Sequence, residues 1–161
     1  FFFKQKTAYE ILTCDWSSDV CSSDLTSLPR RATAQEPRWL SIRLGSQAVR
    51  VGQALGYSLE RMLGMEPETL ARAGEGHRDA LAEITDILLE GVKKRADDQR
   101  PSMAQDIAKG RRTETDFING YVYARGAEIG VEAGLHDRMN ELVKRVERGL
   151  APASAEHIAG W

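Results

Sequence analysis

Apolar side chains recur every three or four residues in several stretches of the chain, which is the spacing of one face of an α-helix. The first such stretch begins at Pro37 and is closed by Gly56. Its apolar positions are Leu40, Leu44, Ala48, Val51 and Leu55. Proline is favoured in the first turn of a helix, where its missing N–H would have no partner anyway. The pattern therefore predicts a long first helix with one buried stripe.

Two further helices are predicted before the middle of the chain. A packed connector over residues 57–65 leads to a short helix that begins at Pro67 and ends near Gly74. The next helix runs from His77 to about Arg95. Its apolar face consists of Leu81, Ile84, Leu88 and Val92.

Two more helices, joined by a sharp turn, are predicted after that. Ser102 stands at an N-cap position with Gln105 three residues later, which is the capping-box pattern. Gly110 occupies the place of the glycine that follows a helix end. Thr113 opens the next helix, which is the longest predicted one and covers residues 114–128. Its buried face is predicted to consist of Ile118, Val122 and Ile129, supplemented by Phe117 and Tyr121.

The end of the chain completes an all-α pattern. Gly120 and Gly126 lie inside the predicted long helix, where each costs about 1 kcal/mol relative to alanine, so we expect another backbone to approach closely there. A last helix runs from about Arg138 to the residue before Gly149, and residues 150–161 follow as a tail of small residues. Its inward positions are Met139, Leu142, Val143 and Val146. No strand pattern alternates, so the fold class is all-α, an irregular bundle of about five helices over residues 37–149.

Composition and charge argue against several classes of protein. The 161 residues carry a formal net charge of -2 and no basic stripe interleaved with aromatic residues, which argues against a nucleic-acid partner. No apolar run approaches the roughly 20 residues that span a bilayer, so no membrane partner is expected. The three histidines are scattered, so no metal site is expected. The residues alone support no complete active site, because there is neither a nucleophile elbow nor a phosphate loop after a strand.

The first 25 residues differ in character from the rest. Residues 4–11 and 15–25 resemble one reading frame of a short-read sequencing adapter, with residues 12–14 where a barcode would fall. We interpret residues 1–25 as a disordered assembly artefact and exclude them from fold reasoning; the alternative is a natural disordered arm. Both cysteines lie within them, so the remainder has no thiol and suits a reducing compartment. Residues 26–36 are interpreted as a linker or a truncated end.

One polar motif stands out from the helical pattern. It consists of Ser102, Met103, Asp106, Gly110, Arg111, Arg112, Thr113, Glu114, Asp116, Phe117, Ile118, Asn119 and Gly120. This order and spacing resemble the signature of the C-terminal domain of ketopantoate reductase (2-dehydropantoate 2-reductase). The resemblance extends weakly over residues 39–149, where it depends on the helical pattern.

The resemblance implies a fold and an activity for a whole enzyme. Ketopantoate reductases combine an N-terminal Rossmann domain, which binds NADPH, with a helical domain of the 6-phosphogluconate dehydrogenase C-terminal type, and the keto acid lies between the two. Hydride passes from the nicotinamide to the 2-keto carbon, and a lysine supplies the proton. The resemblance thus implies a cytoplasmic oxidoreductase of pantothenate biosynthesis that could form a homodimer.

Two site residues are implied by the same resemblance. Ser102 matches the family serine that hydrogen-bonds the substrate, and Glu114 matches the catalytic-site glutamate that helps to hold the lysine and the substrate. A carboxylate beside an ammonium group fixes its position and favours its charged form. Both residues also have plainer interpretations, since Ser102 could act only as an N-cap and Glu114 could only favour the positive end of its helix. Asp106 and Asn119 are assigned to helix and turn structure.

The chain also departs from the family pattern. Gln99 stands where the family usually has an asparagine, and residues 132–135 replace a proline-rich turn. No strand followed by GxGxxG is present, and the helix with the catalytic lysine should precede Trp39. We therefore expect a truncated substrate-binding and dimer-forming domain that binds no NADPH and is inactive alone.

Two alternatives remain open at this point. The chain could be a non-catalytic helical interaction module, or the helical domain of another NADP-linked 2-keto acid reductase. Apolar faces left exposed by a missing domain would favour truncation, whereas a polar outer surface would favour the module.

Overall fold

The computed structural model describes residues 35–93 and 106–161, and the prediction of an all-α fold is confirmed there. Five α-helices and one short 3₁₀ helix are connected by turns: α1 (Gln35–Ala54), α2 (Pro67–Gly74), α3 (Arg78–Lys93), α4 (Thr115–Ile129), α5 (Gly134–Glu147) and the 3₁₀ helix Ala155–Ile158. The described part contains no strand, only an isolated bridge between Met62 and Met65. A single helical turn covers residues 106–108.

Several sequence-based expectations concern residues outside this part. Ser102 and its capping box with Gln105, the departure at Gln99, and the suspected adapter in residues 1–25 all lie outside the described residues. They remain predictions.

Helix α1 lies between two hydrophobic cores and is buried on two sides. Leu40, Leu44 and Val51 pack in a first core with α4, α5 and the C-terminal segment. Ile42 and Val49 pack in a second core with α2 and α3. Ile42 and Val51 are nine residues apart, which at about 100° per residue places them on roughly opposite sides of the helix. The predicted stripe is confirmed at Leu40, Leu44 and Val51, but the second buried face was missed.

Helices α1 and α2 meet at a glycine. A methyl group at Gly74 would overlap the Ser46 side chain and lie 3.1 Å from the Ile42 carbonyl oxygen. The Ser46 hydroxyl donates a hydrogen bond to the Ala71 carbonyl oxygen, 2.8 Å away. This close approach explains why a glycine ends α2, as predicted.

An ion-pair group at the surface joins the same two helices. The Arg50 guanidinium of α1 donates hydrogen bonds to Glu68 of α2 and to Glu75 just after it, at 2.6 to 3.1 Å. These bonds, first from Glu75 and then from Glu68, raise the pKa of Arg50 above its ordinary value. The carboxylates are exposed, so the group fixes the geometry of the two helices more than it stabilises them.

Helix α4 departs most from the prediction. The N-cap position falls on Glu114 and not on Thr113, and α4 has 15 residues whereas α1 has 20, so α4 is not the longest helix. Ile118 and Val122 are buried as predicted, but Phe117 is 70% exposed and Tyr121 43%. The prediction was also wrong at Ile129, which is exposed.

Polar and small residues occupy the interior positions of α4 instead. Thr115, Asn119 and Gly126 are buried alongside Ile118 and Val122. The apolar pattern alone could not identify these positions, because it does not indicate which polar side chains are buried. Asn119 is satisfied by His136, whereas the buried Thr115 hydroxyl has no hydrogen-bond partner among the described residues.

A methyl group at Gly126 would lie 2.8 Å from the Val131 carbonyl oxygen, so the expected close approach of a backbone is confirmed there. The expectation was wrong at Gly120, where the nearest atoms belong to the Asn140 and Asp116 side chains.

The last part of the chain packs against the bundle. Helix α5 begins at Gly134, four residues before the predicted start, and its predicted inward residues are buried. Ala151 and Ile158 belong to the first core, so the segment interpreted as a tail covers one end of it. The Arg138 guanidinium lies over the Trp161 ring, 4.2 Å from its centre, and holds the last residue against α5.

Candidate functional site

A sharp turn at the start of α4 carries the candidate residue Glu114. Gly110 has a φ of 65°, the left-handed conformation expected of the glycine after a helix end. The Arg111 N–H donates to the Asp106 carbonyl oxygen at 2.7 Å, and the Arg111 side chain pairs with the Asp106 carboxylate at 3.1 Å. These contacts define how the chain enters the turn before Glu114.

The Glu114 carboxylate is exposed and takes no part in the ion pairs around it. The Glu114 carbonyl oxygen accepts from the N–H groups of Phe117 and Ile118, at 2.9 and 3.1 Å, so its backbone belongs to the first turn of α4. Its side chain makes no capping hydrogen bond. Among residues 35–93 and 106–161, the Glu114 carboxylate has neither a hydrogen-bond nor an ion-pair partner. It is therefore available to a group from outside the described residues.

The neighbouring carboxylate, Asp116, is fully engaged. Lys144 Nζ lies 2.6 Å from Asp116 Oδ1, Asn140 Nδ2 donates to the same oxygen at 3.2 Å, and Arg112 Nη2 lies 3.1 Å from Oδ2. The bond from Lys144 above all, and then those from Asn140 and Arg112, hold the pKa of Asp116 below its usual range. The same ion pair raises the pKa of Lys144. Asp116 is thus a structural anion whose charge is satisfied within the domain.

A buried histidine lies deeper between the same helices. His136 has no exposed surface, its Nε2 lies 3.0 Å from the Leu44 carbonyl oxygen, and its Nδ1 lies 2.9 Å from Asn119 Oδ1. Burial lowers the pKa of His136 to about 4, so the ring is neutral at pH 7. A carbonyl oxygen only accepts, so Nε2 carries the proton of the neutral ring. Nδ1 and Asn119 Oδ1 would then both be acceptors, so we assign the Asn119 amide the opposite orientation, in which its NH₂ group donates to Nδ1.

Together these contacts form a ladder of polar pairs across the interface of α4 and α5. We call it the polar ladder, and its members are Thr113, Asp116 and Asn119 on one side and His136, Asn140, Lys144 and Glu147 on the other. The last rung is the Thr113 N–H, which donates to Glu147 Oε1 at 2.6 Å. His136, Asn140 and Lys144 recur every four residues, the spacing of one helix face. This recurrence of polar residues was the sign of the ladder in the sequence.

Three residues of the motif that stood out in the sequence, Thr113, Asp116 and Asn119, therefore join α4 and the residue before it to α5. Asn119 is structural, as predicted, but its contact runs between helices and not within the turn. Sequence reasoning missed the four α5 members, because they lie outside the motif and their chemistry depends on partners distant in sequence.

An aromatic pair continues from Glu114 along the outer face of α4. Phe117 and Tyr121 follow Glu114 at three- and seven-residue spacing, so the three share one face of the helix. Both rings are largely exposed. Within the described ranges, no group of three or more His, Cys, Asp or Glu side chains could hold a metal ion. The face can thus offer one unpaired carboxylate beside apolar surface, which suits a cationic or polar group that becomes shielded from water.

The described helices form an all-α domain in which the outer face of α4 presents one unpaired carboxylate next to exposed aromatic side chains. Residues 30–147 match the family model described as ketopantoate reductase PanE/ApbA C terminal. The match covers most of the chain, and the chain therefore belongs to this family.

Curated relatives agree with that assignment. The chain is 35% identical over 83 residues to a 2-dehydropantoate 2-reductase of Archaeoglobus fulgidus, a match that covers 52% of this chain and 26% of the relative. It is 34% identical over 73 residues to the enzyme of the same name from Shigella flexneri, covering 45% of this chain and 24% of the relative. Each match thus spans about a quarter of the relative's length. No solved structure matched the chain significantly.

None of the helices in residues 35–93 and 106–161 is both long and apolar enough to cross a bilayer.

Proposed function

We propose that this chain is the substrate-binding helical part of an NADPH-dependent 2-dehydropantoate 2-reductase, in which Glu114 is a site residue. The observation that carries the proposal is the Glu114 carboxylate, which is exposed and has no partner among the described residues. Its charged neighbours Arg111, Arg112 and Asp116 are all paired. Family membership supplies the reaction class.

The role proposed for this chain is to bind and orient, and it does not include holding the cofactor. The described residues contain no strand, turn and helix of the type that binds a dinucleotide, so no residue here is assigned to NADPH. Glu114 would hold the ammonium group of the proton-donating lysine, which the family resemblance places on a helix before Trp39, and keep it charged. Phe117 and Tyr121 would exclude water from this ion pair and so strengthen it. Ser102 would donate or accept a hydrogen bond with the keto acid.

Further parts of the proposal concern the whole enzyme. Ketopantoate is the substrate proposed, pantoate the product and pantothenate biosynthesis the context, in a cytoplasmic enzyme that forms a homodimer. The exposure of Phe117 and Tyr121 side by side on α4 supports this proposal over a self-contained interaction module with a polar outer surface, because adjoining exposed apolar residues are what the loss of a covering domain would leave.

A fusion enzyme tests the proposal. The C-terminal part of the Archaeoglobus fulgidus relative is replaced by residues 35–161 of this chain, and ketopantoate-dependent oxidation of NADPH is followed. We expect turnover by the fusion and none by the 161-residue chain alone. Replacing ketopantoate by other 2-keto acids distinguishes a related reductase with a different substrate.

Two matched substitutions in the fusion identify the role of the carboxylate. Glu114→Gln should lower kcat/KM by roughly 100-fold or more, the order of effect seen when a positioned acid–base group is removed. Glu128→Gln is the control, because Glu128 is an exposed glutamate at the other end of α4 that pairs with Arg125. Equal kcat/KM values for the two variants would exclude Glu114 from the site, and a fusion that folds without turnover would contradict the proposed function.

A further inference from the structure

Glu147 occupies a position that its own helix does not favour. It is the last residue of α5, where the helix dipole disfavours a negative charge, and the preceding residues Lys144 and Arg145 carry the sign expected there. Its carboxylate turns away from its own helix end. Oε1 accepts the backbone N–H of Thr113, 34 residues earlier, at 2.6 Å. A charge-assisted bond of this kind to a backbone N–H is short and strong, and it explains the acid at this position.

The contact fixes the residue immediately before Glu114. Thr113 is buried, and its hydroxyl in turn accepts the N–H of Thr115 at 3.3 Å. Glu114 therefore lies between two residues whose backbone N–H groups are both engaged, one by α5 and one by the turn itself. The Lys144–Asp116 ion pair ties the following turn of α4 to α5 as well. The position of the Glu114 backbone is thus set from the side of α5.

We propose that Glu147 is a positioning residue for Glu114, acting through the Thr113 backbone. The inference rests on the proposed function of Glu114 as a site residue and adds to it a structural support on α5. Glu147 touches neither substrate nor cofactor in this proposal. Its carboxylate holds the turn so that the Glu114 side chain leaves α4 in one fixed direction.

The first test is spectroscopic and uses the 161-residue chain. In Glu147→Ala, the Thr113 amide should exchange with solvent at least tenfold faster, and the Glu114 amide and carboxyl resonances should shift. Glu147→Gln keeps an acceptor oxygen and should restore most of both signals. Glu141→Ala is the matched control: it removes one exposed glutamate of the same helix that contacts only Lys144, and it should leave the Lys144–Asp116 ion pair and the Thr113 N–H bond in place. Unchanged Thr113 exchange and Glu114 resonances in Glu147→Ala would overturn the inference.

The second test is a double-mutant cycle in the fusion enzyme. Glu147→Ala should lower kcat/KM by roughly 10- to 100-fold, the scale of a misplaced site group. If Glu147 acts through Glu114, adding Glu147→Ala to Glu114→Gln should lower kcat/KM no further, since groups that act as a unit are not additive. Additive losses, or a loss no larger than that of Glu141→Ala, would overturn the inference in an active fusion. An inactive parent fusion would instead contradict the proposed function, and the resonances of the chain would then decide the role of Glu147.

Discussion

The His136 ring and the Asn119 amide meet 2.9 Å apart in the interior, where α4 and α5 cross beside α1. The opposite ring nitrogen contacts the Leu44 carbonyl oxygen, so one side chain joins three helices. In the sequence, His136 is an isolated histidine. In the structure, its two contacts place it between α1, α4 and α5, beside the first core.

Acid should weaken the domain through His136. Burial lowers its folded-state pKa from an ordinary value of 6.5 to about 4. Between these two values the unfolded chain binds the proton and the folded chain does not, so the stabilisation is fully present above pH 6.5 and is lost as the pH falls towards 4. The loss could reach about 3 kcal/mol.

Urea unfolding of the full chain at pH 7.0 and pH 4.5 measures this effect. His136→Gln removes the titrating group, so its free energy of unfolding should change less between the two pH values than that of the parent. Asp116 titrates in both proteins and cancels in the comparison. A parent and a variant with the same pH dependence would show that His136 is not buried in its neutral form.

Two glycines of α4 should respond differently to the same substitution. Gly126→Ala should destabilise the domain by about 1–3 kcal/mol, because the new methyl group meets the Val131 backbone and the Ala133 side chain. Gly120→Ala should cost less, since its methyl group meets the end of the Asn140 side chain and alanine gains about 1 kcal/mol of helix propensity. Thermal unfolding of the two variants makes the comparison. A larger loss in Gly120→Ala would mean that the helices approach elsewhere.

Substitutions at two adjacent residues of α4 should differ in their effect on stability, because one residue lies on the outer face of the helix and the other on its buried face. Phe117→Ser should change the free energy of unfolding by no more than about 0.5 kcal/mol, because the ring is mostly in solvent. Ile118→Ala should cost about 2–5 kcal/mol, since Ile118 is buried in the first core. Chemical denaturation of both variants measures these values. Comparable losses would show that α4 is rotated about its axis relative to the arrangement described above.

The C-terminal segment should behave as part of the core. Ile158→Ala should destabilise the domain by about 2 kcal/mol or more, because Ile158 is buried in the first core. Glu156→Ala, an exposed change in the same 3₁₀ helix, is the control and should leave the melting temperature nearly unchanged. The fluorescence of Trp161, which packs against the same core and under Arg138, should report the loosening of this segment in Ile158→Ala.

Hydrophobic periodicity was sufficient where a helix has one buried apolar face. It correctly indicated the inward residues of α5, and the prolines and glycines marked both ends of α2. It was insufficient for α1, because a helix between two cores has no single stripe. On α4 it assigned Phe117 and Tyr121 to the interior, because their apolar character is the same whether the core or another domain covers them.

Only part of the candidate site could be predicted from the sequence. The motif pointed to Glu114, but its sequence gave no sign that Thr113, Asp116 and Asn119 are held by α5. A polar residue becomes structural when a partner satisfies it, and here the partners lie 17 to 34 residues away. Spacing within one helix predicts which residues share a face, and it does not predict which polar groups meet across two helices.

The position of α1 between two cores has a consequence for how the domain unfolds. Each core uses the same 20-residue helix as one of its walls, so loss of either core exposes apolar surface of the other. The two halves are therefore expected to unfold together, and a cut within α1 would remove part of the wall of both cores. Helix α1 thereby joins the two cores into one cooperative unfolding unit.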